Sequence, residues 1–228
     1  MINLIIKDLK LQKKICIIGI TFYIFMIFSL GSASKDIPEG FSPLVFNGCY
    51  TLMAVYMVCL SVLYSDAYDE KNKSHIILNS LPINRSIIVI SKYISLFIYL
   101  MIYLISIFMF SNVLKFVSPN LNSLNIVGIL LSFIFIGVTF SMYYPLYFKI
   151  GKKMFGVYRV LIWCSIVIFP TILSKTIKKV PLSAVQNMLN NIKVNYKLYL
   201  TSLSIMAICL VTLSCMLSIK LYTARDLD

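Results

Sequence analysis

From Tyr93 to Leu114 the chain runs for 22 residues without one charged side chain. As a helix, that stretch reaches about 33 Å, enough to cross the roughly 30 Å hydrocarbon core of a bilayer. Five further segments share its character: Ile15–Ala33, Leu44–Tyr64, Ile126–Tyr144, Val160–Ser174 and Leu198–Ile219. The fifth in chain order, Val160–Ser174, is the shortest and contains Pro170. Lipid offers no hydrogen-bond partner to a free N–H or C=O, so such runs must be helical. The predicted fold is therefore an all-α integral membrane protein with six transmembrane helices. Composition agrees. The chain is 60% hydrophobic and 13% charged, whereas soluble domains are nearer half and a quarter. Six spans consume about 120 residues, leaving short loops and a single membrane domain over residues 1–228. There is no internal repeat and no low-complexity tail.

Lys and Arg orient such a chain. Fourteen lie in the N-terminal arm, the 65–92 loop, the 145–159 loop and the tail, and seven lie in the other three loops. This excess puts both termini in the cytoplasm, although five lysines in the 175–197 loop run against it. The net charge of +13 is then explained by flanks that meet anionic headgroups, and no nucleic-acid partner is expected. The basic lead, the apolar run Ile15–Leu30 and the small residues after it mimic a signal peptide. The run exceeds a usual signal core, so it reads as a retained span. All six cysteines fall within or at the edges of spans without a CxxC pair, as small packing residues do.

Two amphipathic helices are expected outside the spans. In residues 1–14, Leu4, Ile5 and Leu11 lie near one face, with Ile6 and Leu9 less regular and lysines between, which suggests a helix in the cytoplasmic interface or, equally, an ordinary basic anchor. After Pro181, Val185, Met188, Leu189 and Ile192 recur at helical spacing, which suggests a short helix on the outer surface.

Several chemistries lack their residues. No predicted span holds Asp, Glu, Lys, Arg or His, which disfavours proton-coupled carriers. The lone His75 has no partner for nucleophilic or metal chemistry and reads as a solvated residue. No GxxxxGK[ST] phosphate loop is present, so the chain is not itself an ATP-hydrolysing enzyme. Asp66, Asp69 and Glu70 cluster, but three acids without a histidine make a poor metal site, and none is assigned. On a helix, Asp69 would pair with Lys73, while Asp66 and Glu70 would repel each other and favour a basic partner surface.

The loop DEKNKSHIILNSLPINRSIIVISKY, residues 69–93, is unusual because it is apolar where a membrane loop should be polar. Asn72 or Ser74 can cap a helix through residue 80, with Ile77, Leu78 and Leu81 on one edge. Pro82 ends it. Asn84 can cap a second helix in which Ile87, Ile88 and Ile90 lead into the third span. The apolar edge has three candidate partners: headgroups, its own bundle, or a groove on another protein.

The run Tyr68-Asp69-Glu70-Lys71-Asn72-Lys73, with Leu81-Pro82-Ile83-Asn84-Arg85 and Ser91-Lys92-Tyr93, resembles the first cytoplasmic loop of type-2 ATP-binding-cassette permeases of Gram-positive bacteria. Lys7-Asp8-Leu9, Pro145–Gly151 and Ser218–Asp226 resemble that family too. The resemblance implies a multi-pass protein of the bacterial plasma membrane, a dimer of permeases, and a separate cytoplasmic ATPase that binds ATP and Mg. It makes the 65–92 loop a coupling helix between the second and third spans. Tyr68, Asp69, Glu70 and Lys73 would then meet the ATPase, Ile77, Leu78, Leu81 and Pro82 would fill its groove, and Arg85 would brace the break. Lys149, Gly151 and Lys152 would form a second contact. Permeases of this length resemble exporters of amphipathic peptide toxins, of the phenol-soluble-modulin exporter type. Phe22, Tyr50, Met53, Tyr56 and Met57 would suit an adaptable apolar path, but equally a packed interior. The alternative function is a membrane anchor, sensor or immunity subunit of an ATPase complex that transports nothing.

Overall fold

The computed structural model describes residues 2–12, 15, 17–19, 21–22, 42–74, 80, 84–117, 123–150, 156 and 182–224. Within these residues the protein is helical throughout, with no strand. The helices whose bounds are described follow in order: α1 (Ile2–Leu11), α2 (Ser42–Lys71), α3 (Arg85–Val117), α4 (Ile126–Ile150) and α5 (Leu182–Thr223). Four stretches are long and apolar enough to cross a membrane: Phe46–Lys71, Arg85–Val113, Ile126–Ile150 and Leu200–Thr223. They overlie the second, third, fourth and sixth predicted spans. The Val160–Ser174 span lies outside the described residues, as does most of Ile15–Ala33.

The helices overrun the charge-free runs. α3 has 33 residues, or about 50 Å, against a core of about 30 Å. It is therefore longer than one perpendicular crossing requires. α2 likewise continues seven residues past Tyr64 to Lys71. The separate outer helix expected after Pro181 is not separate. Residues 182–223 form one 42-residue helix, because nothing between Leu182 and Thr223 is a glycine or proline that would break it.

The core lies between α2, α3 and α4. Phe46, Met57, Val58, Val89, Leu96, Leu100, Ile136 and Phe140 are fully buried there. α5 packs along α4 at Gly137: a Cβ there would be in ordinary van der Waals contact with Val211 at 3.4 Å and Ala207 at 3.5 Å, which leaves no room for a larger side chain. Small residues at such a crossing let backbones approach in a membrane, where packing rather than water drives association. The opposite face of α5, with Ile205, Met206, Ile208, Leu213, Met216 and Leu217, is exposed.

Pro145 lies inside α4 rather than at its end. A proline has no N–H for the carbonyl four residues earlier, so Ser141 loses its helical donor. Ser214 of α5 replaces it, donating Oγ to Ser141 O at 2.8 Å. Ser214 also shares a 2.6 Å hydrogen bond with the Tyr93 hydroxyl, which reaches Ser218 at 3.0 Å. The break in one helix thus becomes a polar stitch joining α3, α4 and α5.

Candidate functional site: a buried charge cluster at the root of the 72–84 loop

α2 stops at Lys71, and Lys73 takes a left-handed backbone with φ of 50°. Left-handed residues commonly end helices because they turn the chain away from the axis. The next helix, α3, begins at Arg85, directly after Asn84, whose carbonyl accepts Ile87 N–H at 2.9 Å. The root of the loop is therefore the end of α2 and the start of α3.

Five charged side chains from three helices meet at this root. Lys92 of α3 donates to Asp69 Oδ2 at 2.7 Å and to Ser65 Oγ at 3.2 Å. Its ammonium also stands 3.1 Å from Asp66 Oδ1 and 3.7 Å from Asp8 Oδ2. Lys7 of α1 donates to Asp69 Oδ1 at 2.7 Å and lies 3.5 Å from Asp8 Oδ1. Ser65 Oγ donates to Asp8 Oδ1 at 3.2 Å. Ser95 Oγ lies 3.3 Å from Asp8 Oδ2. From α4, Tyr143 donates its hydroxyl to Asp66 Oδ2 at 3.0 Å, and Tyr144 donates to the carbonyl of Lys92 at 3.2 Å. Asp66 has no exposed surface, and Asp8, Asp69 and Lys92 are all buried.

Unpaired charge in such a place is costly, and a buried pair persists only when its geometry satisfies both partners. Among the described residues Lys92 is the hub, because it alone approaches all three carboxylates. Lys7 is the peripheral cation, its side chain one-third exposed. A shorter polar line continues into the bundle. Gln12 Nε2 donates to Ser61 O at 2.9 Å, and the Ser61 and Tyr103 hydroxyls share a 2.6 Å bond.

This arrangement revises the reading of the acidic residues. Asp69 does not pair with Lys73, because α2 ends before Lys73 and its carboxylate is taken by Lys7 and Lys92. Asp66 does not wait for a basic partner surface, since its basic neighbour is Lys92 of the same chain. The helices also carry Asp66, Asp69 and Lys92, which lie just beyond the charge-free predicted spans, into the packed end of the bundle. α1 is also more than an interfacial float. Ile5, Asp8 and Gln12 are buried, and Leu4 and Leu9 pack on the core. Among the described residues, no group of His, Cys, Asp and Glu is placed to hold a metal ion.

The residues singled out from the sequence divide accordingly. Tyr68 and Lys73 are exposed at the root, and Glu70 is half-buried. Asp69 faces inward. Arg85 is half-buried, and its Nη1 donates to Thr223 O at 3.2 Å, tying the start of α3 to the end of α5. Lys149 is exposed at the end of α4. Ile77, Leu78, Leu81, Pro82, Gly151 and Lys152 lie outside the described residues, as does the predicted short coupling helix. Tyr50, Met53 and Met57 are buried in the core, and the rings of Phe22 and Tyr56 pack at 5.3 Å. Within one chain these five side chains fill space.

Sequence reasoning missed Lys7, Asp8, Ser65, Asp66, Lys92 and Tyr143 as one site. The available signal was slight: one acid in a basic arm, and single charges at the edges of apolar runs.

The profile of the family described as ABC-2 family transporter protein matches residues 3–223. The chain belongs to the ABC-2 transporter family. Members are multi-pass membrane subunits that typically pair with an ABC ATPase and are not the catalytic partner. Comparisons with curated proteins and with solved structures returned no match. The buried cluster thus lies in an ABC-2 membrane subunit, at the foot of the loop between its second and third predicted spans.

Proposed function

We propose that this ABC-2 subunit is the permease of an ATP-driven exporter, with the 65–92 loop receiving a separate cytoplasmic ATPase. The reading includes six spans, both termini in the cytoplasm and a homodimer in a bacterial plasma membrane. Amphipathic or antimicrobial peptides are the proposed cargo, and the ATP and Mg belong to the partner.

One observation carries the coupling part of this reading: both ends of the loop are pinned to the same charge cluster. A push on the loop moves Asp69 at the end of α2 and Lys92 near the start of α3. Lys7 and Asp8 pass the load to α1, and Tyr143 passes it to α4. Ion pairs and aligned hydrogen bonds resist separation better than apolar sliding contacts, because their energy depends on direction as well as distance. The ATPase would meet Tyr68, Glu70 and Lys73 at the root and the apolar edge Ile77, Leu78 and Leu81 beyond it, while Asp69 serves the cluster.

The test is retention of a co-expressed ABC ATPase by the tagged permease, comparing wild type with Leu81→Asp. An aspartate in an apolar groove costs several kcal/mol unless it is neutralised. Loss of the ATPase from a variant that still reaches the membrane supports the docking site. Equal retention by both removes it. ATP hydrolysis that peptide cargo fails to stimulate favours the anchor or sensor reading.

A further inference from the structure

α1 has two faces that differ in kind. Ile5, Asp8 and Gln12 point into the bundle and are buried. On the opposite side, at spacings of four, lie Ile2, Ile6 and Lys10, all exposed, with Ile2 71% exposed. A ten-residue helix with an inner face already packed has no packing reason to present two isoleucines outward. The charges sort the same way. Asp8 is the only acid before Asp36, and it is turned inward onto Ser65, Ser95 and Lys92. The outer face therefore carries no negative charge, and Lys10 is followed in sequence by Lys13 and Lys14. Isoleucines flanked by lysines and cleared of acids are complementary to a bilayer surface bearing anionic headgroups.

We propose that α1 is an anionic-lipid-binding strap, whose outer face seats on negatively charged headgroups while its inner face completes the charge cluster at the root of the 72–84 loop. The two faces are linked by geometry. Lys7, between them, holds Asp69 at 2.7 Å, so a helix lifted from the membrane surface withdraws Lys7 and Asp8 from the cluster together. Surface charge of the membrane then sets how firmly the loop root is held. The lipid contact itself does not depend on an ATPase. Only its consequence for coupling rests on the permease reading.

The experiment uses the full chain alone in nanodiscs, without any ATPase. The native cysteines are replaced and a fluorophore is placed at Ile6→Cys, with brominated lipid as the contact quencher. Discs of phosphatidylcholine are compared with discs containing phosphatidylglycerol. Strong quenching that appears with phosphatidylglycerol and fades with added salt supports the strap. Each lysine near an anionic surface contributes about fivefold to its partition, so Lys10→Gln should weaken the phosphatidylglycerol-dependent part about fivefold without changing thermal stability in neutral detergent. Quenching that is identical in both lipids, or a fluorophore shielded from lipid until an ATPase or a second copy of the chain is added, overturns the proposal. Failure here would leave the Leu81→Asp test of ATPase docking untouched.

Discussion

Replacing Lys92 with methionine removes the hub of the charge cluster while keeping most of its volume. In the wild type the Lys92 ammonium lies 2.7 Å from Asp69, 3.1 Å from Asp66 and 3.7 Å from Asp8, on a side chain 10% exposed. Among the described residues, the variant leaves Lys7 as the one cation facing the three carboxylates, reaching Asp69 and Asp8. Removing one partner of a buried pair costs about 3–5 kcal/mol, because the other charge remains buried without compensation. The site is buried, so little solvent screening reduces that figure. The loss should therefore fall in this range, unless a carboxyl takes up a proton. Lys92→Met with Asp66→Asn removes one stranded charge, and the pair should be non-additive by about 0.5–3 kcal/mol, as residues in one network are. The assay is equilibrium or thermal unfolding of the purified protein in one detergent, run as a double-mutant cycle. A Lys92→Met variant within about 1 kcal/mol of wild type, or additive losses in the double variant, would refute the role given to this cluster.

Three further outcomes follow from particular contacts. Lys7→Met should cost less than Lys92→Met, about 1 kcal/mol or below, since a partly exposed pair is screened, and the same unfolding assay ranks the two. Ser214→Ala should cost about 1–3 kcal/mol by orphaning the Ser141 carbonyl. Adding Pro145→Ala restores an N–H to that carbonyl, so the double variant should recover part of the loss. Gly137→Leu should destabilise by at least about 1–3 kcal/mol through overpacking against Val211 and Ala207, and cysteine cross-linking between α4 and α5 should fall with it.

Much of the architecture follows from sequence, because the constraints on it are local. A charge-free run in lipid must be a helix, and that rule locates the apolar parts of the helices covering 46–71, 85–113, 126–150 and 200–223. Where sequence reading faltered, it stopped helices too early. The fourth predicted span ended at Tyr144, whereas α4 continues through Pro145 to Ile150, and the reading divided residues 182–223 at a change from polar to apolar. Pro145 is accommodated by a serine 69 residues further on, a partner that no local pattern announces. The loop was recognised for its apolar edge, yet its root was misjudged. Asp66 and Asp69 looked like surface acids, since i,i+4 rules consider only one helix.

The sequence by itself determined that this chain carries the apolar stretches of a membrane protein, roughly where they lie, and which family it belongs to. Hydropathy and chain order suffice for these, because each residue's transfer to lipid is nearly independent of its distant neighbours. Only the tertiary structure decided that Lys7, Asp8, Asp66, Asp69 and Lys92 form one site. Their hydrogen bonds need contact distances and their attraction strengthens as they approach, so the site is made only when folding brings α1, α2 and α3 to the same end of the bundle.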